Sequence, residues 1–76
     1  MVNYEQALSI AKDLLGKADT YCEYKEYYVF SYHTPVVCES GANVVAIEKK
    51  TGKAYGFIGV ITKLGETLRE GRVRQE

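Results

Sequence analysis

Seventy-six residues allow one small domain and no second one. Ten Lys and Arg against ten Asp and Glu leave a formal net charge of zero at pH 7, with His33 neutral; this argues against nucleic acid or an anionic membrane as the main ligand, since both demand a basic footprint. The 46% hydrophobic content, with seven tyrosines, suffices for a core with little surplus, so association with a second copy or a partner would add stability.

Asn3 followed by Gln6 has the spacing of a capping box. Tyr4, Ala7, Leu8, Ala11, Leu14 and Leu15 then recur at helical spacing as one apolar stripe. Glu5 and Gln6 sit at the positive end of the dipole, Lys12 and Lys17 nearer the negative end, and Gly16 is placed for the left-handed conformation that closes a helix. A helix is expected over residues 3–16. Residues 17–23 read as a polar turn. Residues 24–33 are dense in β-formers and predict a strand over 25–33. Residues 34–42, holding Pro35 and the Ser40-Gly41 turn signal, read as an irregular loop with Val36, Val37 and Cys38 partly tucked in.

Residues 44–49 and 53–60 read as a hairpin about Lys50-Thr51-Gly52, with Gly52 in the left-handed position of a three-residue loop. Pairing Lys49 with Lys53 sets Ile47 opposite Tyr55 and Val45 opposite Phe57. On the other face it sets Val44 opposite Ile58 and Ala46 opposite Gly56. Thr62 is placed to cap a short C-terminal helix carrying Leu64 and Leu68 and stopped by Gly71. Residues 72–76 read as a flexible tail beyond a single domain of residues 1–71. The order of elements predicts an α+β fold: an N-terminal helix packed on a three-stranded antiparallel sheet, with a short C-terminal helix. Its expected core is Leu8, Ala11, Leu15, Phe30, Val45, Ile47 and Phe57.

The opening Met1-Val2-Asn3-Tyr4-Glu5 has neither the basic nor the apolar region of a signal peptide, and no apolar run approaches the ~20 residues of a membrane span. A cytoplasmic location is the expectation. In a reducing compartment Cys22 and Cys38 are more readily small core side chains than a bridge. Two Cys and one His fall short of a structural zinc site, so no metal is expected. Gly52, Gly56 and Gly59 fit neither the Rossmann fingerprint nor the P-loop and read as a hairpin bulge and strand glycines, so no cofactor is expected. His33 and Cys38 as base and nucleophile lack an orienting third group and an oxyanion hole. Glu23, Glu26, Glu39 and Glu48 read as solvated carboxylates. The chain is not expected to be an enzyme.

Tyr21, Tyr24, Tyr27, Tyr28 and Tyr32 crowd one segment with Phe30. Tyrosine is enriched at interface hot spots, although strands also favour it for its own sake. Alternation puts Tyr28, Phe30 and Tyr32 on one face of the strand, with Tyr27, Val29, Ser31 and His33 on the other. One helix does not cover both sides of such a sheet, so the second face must meet the C-terminal segment, another copy or a partner. Tyr27, Val29, His33, Glu48 and Ile58 are the candidate partner-binding residues on that face.

The order of helix, aromatic strand and hairpin, with Ala46, Ile47, Glu48, Lys49, Lys50, Thr51 and Gly52 matching an apolar-apolar-acid-Lys-x-Thr-Gly strand and turn, resembles the immunity protein 35 family of YrhB-like small bacterial proteins. The turn is also similar to that of PepSY-type domains. The first resemblance implies a non-catalytic cytoplasmic protein that neutralises a toxin by direct binding. The second implies a small structural or oligomerising module without a toxin partner.

Overall fold

The computed structural model describes residues 1–32 and 43–73. The first helix, α1 (Tyr4–Leu15), forms as its ends dictate. Asn3 Oδ1 accepts from the Gln6 N–H at 2.8 Å, and the Asn3 N–H donates to Gln6 Oε1 at 3.0 Å. Gly16 closes the helix at φ 84°, its N–H donating to the Lys12 carbonyl. Five strands follow: β1 (Thr20–Glu23), β2 (Tyr27–Ser31), β3 (Val44–Glu48), β4 (Ala54–Gly56) and, last in the chain, β5 (Arg69–Arg72). Between β4 and β5 lie a single helical turn, α2 (Phe57–Val60), and a 3₁₀ turn (Ile61–Lys63). The sheet order is β4-β3-β2-β1-β5, with every neighbouring pair antiparallel.

The sheet has two apolar faces, and each meets part of the chain. On the first, Phe30, Val45 and Ile47 are buried against Ala7 and Ala11 of α1, with Ala18 and Val73; Leu8, Leu15, Tyr21 and Tyr28 pack around them. Tyr4 joins the helix to this face through edge-on contacts with Tyr21 (4.9 Å between ring centres) and Tyr28 (6.0 Å). On the second, Tyr27, Val29 and Ala46 are buried with Val60 and Leu64, which the α2 region lays across the sheet. A row of charges ties the first face together at one end. Lys49 Nζ lies 2.6 Å from Glu23 Oε2 and 4.7 Å from the centre of the Tyr28 ring, while Arg69 Nε stands 3.9 Å from Glu23 Oε1.

The antiparallel α+β architecture and the N-terminal helix are as the sequence predicts, but the sheet has five strands rather than three. The polar stretch after α1 contains β1, an inner strand held by β2 on one side and β5 on the other. A short C-terminal helix is present as expected, but it lies earlier, at Phe57–Val60, and does not carry Leu64 and Leu68; the chain is extended by Arg69. Arg72 pairs with Thr20 and Val73 is buried, so order continues into the stretch read as a tail.

The hairpin register is one residue off the predicted one. Glu48, not Lys49, pairs with Lys53, donating its N–H to the Lys53 carbonyl at 2.8 Å. Lys49 is engaged elsewhere: its N–H donates to the Glu26 carbonyl and its carbonyl accepts from the Val2 N–H. The loop therefore has four residues, Lys49 to Gly52, and Gly52 still takes the left-handed conformation at φ 78°. A one-residue slip moves side chains to the other face. Ala46 now opposes Tyr55, Val45 opposes Gly56, and Phe57 packs with the second cluster instead of joining the first. The predicted loop 34–42 lies outside the described residues.

Candidate functional site

The second face was the expected contact surface, and the chain's own C-terminal segment covers it. Tyr27 is 6% exposed and Val29 7% exposed, so both belong to a core rather than to an open face. Tyr27 stands opposite Glu48 across β2 and β3, and its ring meets the Tyr55 ring edge-on at 6.3 Å. Glu48 Oε1 accepts from the Thr51 hydroxyl, and Thr51 Oγ1 in turn accepts from the Lys53 N–H at 3.2 Å, so this carboxylate braces the hairpin loop. Ile58 is 65% exposed on α2. His33 lies outside the described residues. Of the five candidates, the structure brings Tyr27, Val29 and Glu48 together and leaves Ile58 on the outer side of the covering segment.

That outer side carries the exposed apolar surface. Ile61 is 50% and Leu68 60% exposed, and Tyr55 precedes them at the end of the hairpin. Tyr55, Ile58 and Ile61 recur every third residue while Val60 and Leu64 pack on the sheet, so the segment carries apolar residues on both sides. The sequence reading ends a strand at Val60 and puts Leu68 on a C-terminal helix, so it marks neither Ile61 nor Leu68 for the surface; Gly56 and Gly59 within 53–60 were the available sign that a strand would not persist. Beside the ridge, a cleft of about 320 Å³ opens between Lys25 and Glu26 on one wall and Lys63, Leu64, Glu66 and Leu68 on the other. Its two lysines and two glutamates cancel, so it presents no field for a polyanion.

Two titratable groups on this face are shifted by their surroundings. Burial pushes the Cys22 thiol above its ordinary range, helped by the Glu70 carboxylate and partly offset by a hydrogen bond with Tyr24. An activated thiol is shifted the other way. Burial likewise raises the Tyr27 phenol, with Glu48, Tyr55 and Glu26 adding to the effect. Among the described residues no three His, Cys, Asp or Glu are placed to share a metal ion, and no helix is long and apolar enough to cross a membrane. Comparison with family models, with curated proteins and with solved structures finds no match for this chain.

Proposed function

We propose that this domain is a non-catalytic protein-binding module of the immunity type, which neutralises a bacterial toxin by covering it. The observation that carries this reading is the concentration of exposed apolar side chains on one segment: Tyr55, Ile58, Ile61 and Leu68 lie within residues 55–68, whereas the other large exposed apolar residues among the described ones are Met1 and Leu14. Both sheet faces already have cover, so this ridge is not the unfilled side of a core. A cluster of large aliphatic and aromatic groups displayed by a well-packed domain is the ordinary chemistry of a protein interface. The resemblance of the 46–52 hairpin to immunity proteins gives the class of partner, a toxin met in the cytoplasm.

The test is a growth assay in which the product of the neighbouring gene is expressed with and without this protein. Growth arrest by the neighbour, relief on co-expression and co-elution of the two proteins are expected. Ile58→Asp together with Ile61→Asp should abolish relief while leaving the circular dichroism spectrum unchanged. A neighbour that does not arrest growth, or an arrest that co-expression fails to relieve, would overturn the reading.

A further inference from the structure

The edge of the sheet opposite β4 presents a different kind of surface. Among the described residues β5 is bonded to β1 on one side only, and all four of its residues are exposed. The Val73 N–H donates to the Asp19 carbonyl at 2.8 Å, and the register sets Thr20 opposite Arg72 and Cys22 opposite Glu70. Hydrogen-bonded and non-bonded pairs alternate along an antiparallel ladder. With Asp19 and Val73 a bonded pair, Tyr21 and Gly71 are bonded, while the pairs at Arg72 and Glu70 are not. The N–H and C=O groups of Glu70 and Arg72 therefore point out of the sheet, away from β1. An open edge of this kind is a template for another strand.

From this parity and the charge order Arg-Glu-Gly-Arg, we propose that β5 pairs antiparallel with β5 of a second copy about a two-fold axis at Gly71, joining two five-stranded sheets into one. A two-fold antiparallel pairing must place outward-bonding residues opposite one another, which leaves three short registers. Centring on Glu70 sets Glu70 against its own copy, and centring on Arg72 sets Arg72 against its own copy. Centring on Gly71 sets Glu70 opposite Arg72 twice, on the same face, with four backbone hydrogen bonds. Only that register joins opposite charges without setting a like pair directly opposite, and like charges directly opposite are destabilising. Natural edges are often protected by charges that repel any incoming strand; here the two signs alternate so that the edge is complementary to itself. The axis is also free of side chains. Gly71 has none, and the place a Cβ would occupy lies 3.2 Å from Cε1 of Tyr21, whose ring already covers the strand there. The pairing closes on itself rather than propagating, as a two-fold contact must. It does not depend on the toxin-binding reading, since it is argued from the β5 edge alone, and Tyr55 on β4 stands at the opposite edge of the sheet.

The test is gel filtration with light scattering over a series of loading concentrations. The natural chain should shift from the mass of one 8.5 kDa chain towards twice that as concentration rises. Glu70→Arg and Arg72→Glu should each weaken dimerisation by roughly tenfold or more, by setting like charges opposite at both pairs. An equimolar mixture of these two variants, and separately the double variant carrying both changes, should restore dimers, because in each case opposite charges face again. Circular dichroism establishes that every variant is folded. The proposal is overturned if the natural chain keeps the mass of a single chain at every concentration, if the single variants dimerise as well as it does, or if the mixture and the double variant stay monomeric.

Discussion

Replacing Leu64 by Ala separates a covered second face from a free one. Leu64 is 5% exposed and clusters with Tyr27, Val29, Ala46 and Val60. The change removes three buried carbons, about 2.4 kcal/mol at ~0.8 kcal/mol per buried CH₂, before any cavity cost. Leu64 also borders the open cleft beside Lys25 and Glu26, so water and neighbouring side chains fill part of the space it leaves. This places the loss at the lower end of the usual Leu→Ala range, about 2–3 kcal/mol. A domain of this length has roughly 4–11 kcal/mol in all at ~0.05–0.15 kcal/mol per residue, so the effect is a large fraction of the total. Ile61→Ala, three residues earlier on the exposed side, should change stability by no more than about 0.5 kcal/mol. Urea denaturation followed by circular dichroism reads both variants. A Leu64→Ala loss as small as that of Ile61→Ala would refute the packing of the C-terminal segment on the sheet.

Other outcomes follow from the hairpin and from the buried phenols. Gly52→Ala should cost about 1–2 kcal/mol and exceed Gly16→Ala: both glycines have positive φ, but a Cβ at Gly52 would lie 3.1 Å from Val2 Cγ1, whereas nothing stands within 4 Å at Gly16; denaturation midpoints of the two variants decide it. The Tyr4 phenol is held above its ordinary value of 10.0 by burial and by Tyr21, and the Tyr27 phenol by burial and its acidic and tyrosine neighbours. The unfolded chain therefore ionises first, so this contribution is complete below pH 10 and is lost as the pH rises through 10 and beyond. Urea midpoints at about pH 8 and about pH 11 should fall accordingly, and Tyr4→Phe with Tyr27→Phe should flatten the fall; equal midpoints in the natural protein would contradict it.

Where local chemistry decides the outcome, the sequence was legible. Asn3, Gln6 and Gly16 set both ends of α1, and Gly52 marks the hairpin loop. The two-faced alternation of β2 and β3 is also visible in the residues, and it requires a cover for the second face. What escaped were two four-residue strands fixed by their partners. Thr20–Glu23 is an inner strand because β2 and β5 satisfy its backbone, and its turn to β2 is Lys25-Glu26, which lacks the Asn-Gly or Asp-Gly signal. Arg69–Arg72 has no β-former at all and is extended through its pairing with β1. The register slip arose from Lys49, whose backbone bonds to Val2 and Glu26 are long-range and leave no trace in local spacing. That slip, with the turn of α2, is what sent Tyr27 and Val29 into a core and left Ile58 and Ile61 outside. Tyr27 and Val29 are buried because cover for the face comes from the chain itself.

The most direct measurement is a nuclear Overhauser spectrum of the isotope-labelled protein in solution. The central claim is that residues 57–64 close the second sheet face and so leave Ile58 and Ile61, in the proposed recognition surface, facing outward. Contacts from the methyls of Val60 and Leu64 to Tyr27, Val29 and Ala46, together with a Tyr27 to Tyr55 ring contact, are the expected result. Methyls of Ile58 and Ile61 should show no contact with those sheet residues. A spectrum in which Val60 and Leu64 lack these contacts, or in which Ile58 makes them instead, would contradict the claim.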